Sequence, residues 1–155
     1  MIKYLSKPSF LIGLASLSLL SLGLTACGSD NPPYVQKLDR NIRLISQHDT
    51  LQVFAMEDYT AKMSGQYASF KVIYDLNKSR ESKVLIKSGT IIRGLYFNDG
   101  KTCSVTWDKI YAHGDQAMDK DNGVKLNNIA TPTMCDPAVG LKYGEPMVIN
   151  FNNVK

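Results

Sequence analysis

The side chains able to do chemistry are few. The chain holds two histidines, His48 and His113, and three cysteines, Cys27, Cys103 and Cys135. His113-Gly114-Asp115 would set a base beside an orienting carboxylate, the start of an envelope hydrolase site. No GxSxG elbow supplies the nucleophile, and no HExxH supplies the two-histidine helix face of a zinc protease. Asp115, Asp119, Asp121 and Asn122 gather oxygen ligands ahead of Gly123, so the loop 115–123 has a composition suited to calcium. Counted from Asp119, glycine falls at position 5 and Ala130 at position 12. An EF-hand has glycine at 6 and glutamate at 12. A non-standard calcium loop and a solvated acidic loop both remain open. The expectation is a chain with no catalytic residue, no metal and no cofactor.

Cys27 is set apart by what precedes it. Lys3 and Lys7 form a short positive segment, and Phe10 to Leu24 is a 15-residue run without a charge. About 20 apolar residues are needed to cross the hydrocarbon core, so the run is too short to span comfortably. Small residues follow at once, as a cleavage site requires. Residues 1–26 therefore read as a signal peptide. Leu24-Thr25-Ala26-Cys27 resembles the bacterial lipobox, in which a branched residue and two small ones precede the cysteine. That resemblance implies diacylglycerol on the Cys27 thiol, cleavage just before it, and acylation (palmitate) of the new amino terminus. Two or more acyl chains give stable anchoring, at about 0.8 kcal/mol per buried methylene. Gly28 follows the cysteine, where an aspartate commonly signals inner-membrane retention, so the resemblance implies the outer membrane. Residues 27–33 are then a lipidated tether, polar and proline-ended, that holds the domain close to the lipid surface.

Residues 34–155 show no further composition shift or repeat and read as one globular domain. The leader takes Lys3 and Lys7, which leaves 16 basic residues against 14 acidic ones. Without a basic stripe, the electrostatic case for nucleic acid fails. Cys103 and Cys135 form an even pair in an exported chain, and the periplasm is oxidising, so they are expected to be disulfide-bonded. Closing a loop of about 30 residues is worth roughly 3–4 kcal/mol in the chain-entropy account.

The elements that position these residues are mostly strands. Val35, Leu38, Ile42 and Ile45 recur at three and four, predicting a helix over about 34–46. From Thr50 the period is two. Leu51, Val53 and Ala55 share one face; Phe70, Val72, Tyr74 and Leu76 share another. Val84 and Ile86 and the stretch Thr90 to Phe97 continue the β pattern. Asn98-Asp99-Gly100 marks a tight hairpin turn, after which Cys103, Val105 and Trp107 should face inward. Residues 124–129 and 147–151 read as strands, with a long loop over 131–146 pinned by Cys135. The fold class expected is mainly β, an antiparallel sandwich or small barrel with a short N-terminal helix.

The aromatics Phe70, Tyr74, Tyr96, Phe97, Trp107 and Tyr111 fit either a stacking platform or a β-domain core. Ser64-Gly65-Gln66-Tyr67 resembles, one residue short, the Ser-Gly-x-x-Tyr element of membrane-bound lysozyme inhibitors. Trp107 and Gly114-Asp115-Gln116-Ala117 resemble another part of that family at a different spacing. The resemblance implies a lysozyme-inhibitor-like protein as an alternative. The leading expectation is a non-enzymatic binding, accessory or structural module, held to the membrane by its lipid anchor and bound to an envelope protein partner.

Overall fold

A computed structural model describes residues 33–78, 81–111 and 123–152. The unit Asn31–Lys155 carries the core of the described residues, from Val35 to Phe151.

It opens with α1, Pro33–Ile42, which buries Val35, Leu38, Asn41 and Ile42 on one face. Proline suits the first turn, where an amide proton has no intrahelical partner. The helix stops four residues before the expected end at Ser46. There the Ser46 amide donates to Asp49 Oδ2 at 2.7 Å, and the His48 amide donates to Ser46 Oγ at 3.2 Å. Short polar side chains that capture nearby backbone groups compete with helical bonding. Ile45 still reaches the core, through a turn in which its amide donates to Ile42 O.

Ten strands follow among the described residues: β1 Thr50–Ala55, β2 Tyr67–Val72, β3 Leu76–Asn77, β4 Val84–Ile86, β5 Ile91–Asn98, β6 Cys103–Tyr111, β7 Gly123–Lys125, β8 Ala130–Thr131, β9 Thr133–Met134 and β10 Pro146–Phe151. All but β3 and β4 join one antiparallel sheet, in the order β7-β6-β5-β2-β1-β10-β8, with β9 paired to β6. The sheet curls into a half-barrel. Residues 130–134 bond to β10 at Asn150 and Phe151 and to β6 at Ser104 and Val105, so this short segment bridges the two strands.

The period-two alternation sets the inner face. Leu51, Val53, Phe70, Val72, Ile92, Tyr96, Val105, Trp107 and Ile149 are all buried. Phe70 meets Trp107 edge to face, ring centroids 4.9 Å apart, a geometry that adds about 0.5–1.5 kcal/mol beyond area burial. Tyr74 departs from the expected alternation. The ladder of β2 ends at Val72, and Tyr74 stands 66% exposed in the turn leading to the separate β3–β4 hairpin.

The β5–β6 hairpin turns where the Asp-Gly pair predicts. Asn98 pairs with Cys103 around a four-residue loop, and Gly100 takes a φ of +83°. Asp99 Oδ1 accepts from the amides of Lys101 and Thr102 at 2.8 and 2.7 Å, and from the Thr102 hydroxyl. The Thr102 amide bond, then that of Lys101, holds the Asp99 carboxyl below its usual pKa. At the strand's start, Cys103 is bonded to Cys135, as the even pair predicts. The Cys135 amide also donates to Cys103 O at 2.9 Å.

Candidate interaction surface

Of the residues singled out for chemistry, Cys27, His113, Asp115, Asp119, Asp121 and Asn122 lie outside the described residues, as do residues 1–26 and most of the loop 115–123. His48 is exposed in the turn after α1, its Nε2 3.3 Å from Gln47 Nε2. No cluster of three or more histidine, cysteine, aspartate or glutamate side chains able to hold a metal occurs among the described residues.

The aromatic set divides. Phe70, Tyr96, Trp107 and Tyr111 are core, while Phe97 and Tyr74 are exposed. Phe97 belongs to a patch on the outer face of the sheet. Tyr67 on β2 lies opposite Leu95 on β5, and Leu95 and Phe97 share a face two residues apart. Phe97 lies opposite Ser104 on β6, which in turn lies opposite Met134 on β9. Register therefore sets Tyr67, Leu95 and Phe97 together on the adjacent strands β2 and β5, with Met134 on β9 beyond the polar Ser104 of β6. Tyr67, Leu95, Phe97 and Met134 are 57%, 39%, 46% and 66% exposed.

Arg93 flanks this strip. Its guanidinium sits 4.4 Å from the Tyr67 ring centroid and 5.9 Å from that of Tyr111. Its Nη2 and Nε both reach Asp108 Oδ2, at 2.7 and 2.8 Å. The geometry depends on a β-bulge. Arg93 pairs with Lys109 while Gly94 pairs with Trp107, which leaves Asp108 as the extra residue on β6. A Cβ on Gly94 would run into the buried Val105 side chain at Cγ1, so glycine here leaves the room that Val105 fills. The arginine is thereby fixed on an aromatic ring by an ion pair rather than swinging on a free stem.

The far end of the half-barrel is braced by a polar network. The Asn98 Nδ2 donates to Tyr96 Oη at 2.9 Å and to Pro137 O at 3.1 Å. Tyr96 Oη donates to Tyr59 O, and Tyr59 Oη accepts from the Ser69 amide at 3.0 Å. Burial raises the Tyr59 pKa, opposed by that Ser69 bond and assisted by the charge of Glu57. Ser64 and Gly65 of the Ser-Gly-Gln-Tyr element have tasks in this frame. Ser64 Oγ accepts from the Asn98 amide at 2.8 Å, and the Gly65 amide donates to Tyr96 O at 2.8 Å.

Chemically, the arrangement is a rigid apolar face with an aromatic-clamped arginine beside it. Tyrosine, other aromatics, methionine and arginine are the types enriched where proteins bind proteins. The sequence reading missed Tyr67, Arg93, Leu95, Asp108 and Met134 as a group. An isolated glycine inside a strand pattern is a bulge signal, and Gly94 was that signal.

No family model and no curated protein matches the chain. Among solved structures, ComB10 of the Com type IV secretion system of Helicobacter pylori aligns with 44% of this chain at 21% identity and a TM-score of 0.39. The alignment covers 37% of that chain, and a likeness this short and loose carries no argument about function.

Proposed function

We propose that this chain is a bacterial envelope lipoprotein, anchored through lipid on Cys27 in the outer membrane, whose β-domain is a non-enzymatic binding module for an envelope protein. The membrane part of this reading is supported by Leu24-Thr25-Ala26-Cys27 after a 15-residue uncharged run. The binding part rests on one observation, the exposed strip Tyr67, Leu95, Phe97 and Met134 beside the clamped Arg93. Apolar side chains scattered singly over a surface need no explanation, but Tyr67, Leu95 and Phe97 stand together on adjacent strands with Met134 across Ser104, and such a grouping marks a place of contact. Its side chains stand on paired strands, so little ordering entropy is lost when a partner covers them.

Anchoring is tested by metabolic labelling with palmitate in the native host. The wild-type chain should take up label and float with membranes, and Cys27→Ser should do neither. Label retained in Cys27→Ser, or absent from the wild type, would overturn the anchor.

A further inference from the structure

Between α1 and β4 lies an open cavity of about 300 Å³. Tyr34, Lys37 and Leu38 project into its lining from successive turns of the helix, and Val84, Lys87 and Thr90 from the strand and the turn after it. Asn41, also in the wall, donates from Nδ2 to Leu85 O at 3.1 Å and so pins the helix against the strand. The cavity is therefore part of the packed fold. Its lining contains two lysines and no carboxylate. Neither Lys37 nor Lys87 makes an ion pair among the described residues. The Asp39 carboxylate of α1 is engaged with Arg43 at 3.0 Å, and the carboxylates before β3 and β4 are engaged too, Asp75 with the Ser88 amide at 2.7 Å and Glu81 with Lys78 at 2.7 Å.

We propose that this cavity binds the phosphate-bearing headgroup of an anionic membrane lipid, with the charge between Lys37 and Lys87 and the glycerol end against Leu38 and Val84. The volume sits at the lower end of the range for small-ligand sites, enough for a headgroup and not for acyl chains. Placement argues for a lipid in the bilayer. Gly28 to Pro33 is six residues, and at 3.3–3.6 Å per extended residue the start of α1 stays within about 20 Å of Cys27. Lysines that close to an anionic leaflet are attracted to it. This inference rests on the lipoprotein reading for its membrane source.

The test uses residues 31–155, the unit that carries the whole core, without the anchor, so it does not depend on whether Cys27 is acylated. Sedimentation is measured with vesicles of phosphatidylcholine alone and with phosphatidylglycerol added. Binding should require phosphatidylglycerol. Lys37→Glu with Lys87→Glu should weaken it by at least about fivefold per lysine. Both lysines are exposed, so the fold should survive, as circular dichroism will check. Lys101→Glu with Lys142→Glu changes the net charge equally outside the cavity, and should weaken binding much less. Equal losses in the two double variants, or equal binding to both vesicle types, would overturn the proposal. Release from vesicles by inorganic phosphate at constant ionic strength, at concentrations below that of the accessible phosphatidylglycerol, would make free phosphate the preferred ligand and overturn the lipid assignment.

Discussion

Trp107 Nε1 donates to the Thr133 hydroxyl at 3.0 Å, and that hydroxyl donates onward to Val148 O at 2.8 Å. One side chain on β9 thus ties β6 to β10 across the opening of the curl. The chain's single tryptophan is fully buried there, with its indole N–H satisfied by a group whose own proton is also used. The short strands β8 and β9 bridge that side of the half-barrel, and this threonine adds a side-chain tie to their backbone pairing.

Thr133→Val keeps the shape and removes the hydroxyl. A buried donor left unpaired costs about 1–3 kcal/mol. Urea unfolding followed by Trp107 fluorescence should show a loss of that size, while Thr133→Ser should stay near the wild type. A Thr133→Val domain as stable as the parent would show that the bridge is incidental.

The Cys103–Cys135 bond links β6 to the segment just past β9, a separation of 32 residues. In the loop-entropy account its loss costs roughly 3–4 kcal/mol. The double variant Cys103→Ala and Cys135→Ala should shift the guanidinium midpoint of residues 31–155 accordingly, and reductant should reproduce the shift in the wild type only.

Gly140 and Gly144 both have positive φ, +74° and +78°, yet they should respond differently to alanine. At Gly144 a Cβ meets nothing within 4 Å, and the cost is backbone strain alone, about 1–2 kcal/mol. At Gly140 it would stand 2.1 Å from Tyr59 O, a carbonyl bonded to the Leu141 amide. Gly140→Ala should therefore be clearly the more damaging in thermal unfolding. Equal melting temperatures would refute the close approach.

Tyr59 gives stability an alkaline limit. Burial lifts its folded pKa above the ordinary 10.0, so the unfolded chain ionises first. The associated stability is complete below the ordinary value and is lost as pH rises through the higher folded value. Urea midpoints measured between about pH 9 and 11 should fall more steeply for the wild type than for Tyr59→Phe. Asp99 acts at the other end, with stability present above 3.8 and lost as pH falls through its lowered value.

Much of this architecture was legible in the residues. The alternation Leu51-Val53-Ala55, the Asp99-Gly100 turn and the inward Cys103-Val105-Trp107 face all follow from a side-chain period of two. The disulfide followed from counting cysteines once Cys27 was set aside. What could not be read were long-range relationships. Nothing local places Thr133 between Trp107 and Val148, residues 26 and 15 positions away. The outer strip was hidden for a related reason. Tyr67, Leu95 and Met134 become neighbours only through strand register, which a bulge at Gly94 shifts by one residue.

We propose above that the Tyr67–Met134 face holds an envelope protein while the chain is lipid-anchored. It is tested most directly by placing a photo-crosslinking amino acid at Phe97 in the full chain, irradiating intact cells, and identifying adducts by mass spectrometry. One dominant protein adduct is expected, lost in Leu95→Asp and lost when Cys27→Ser detaches the chain, with none from the same probe at Lys142. No specific adduct at Phe97, or the same adducts from both positions, would contradict it.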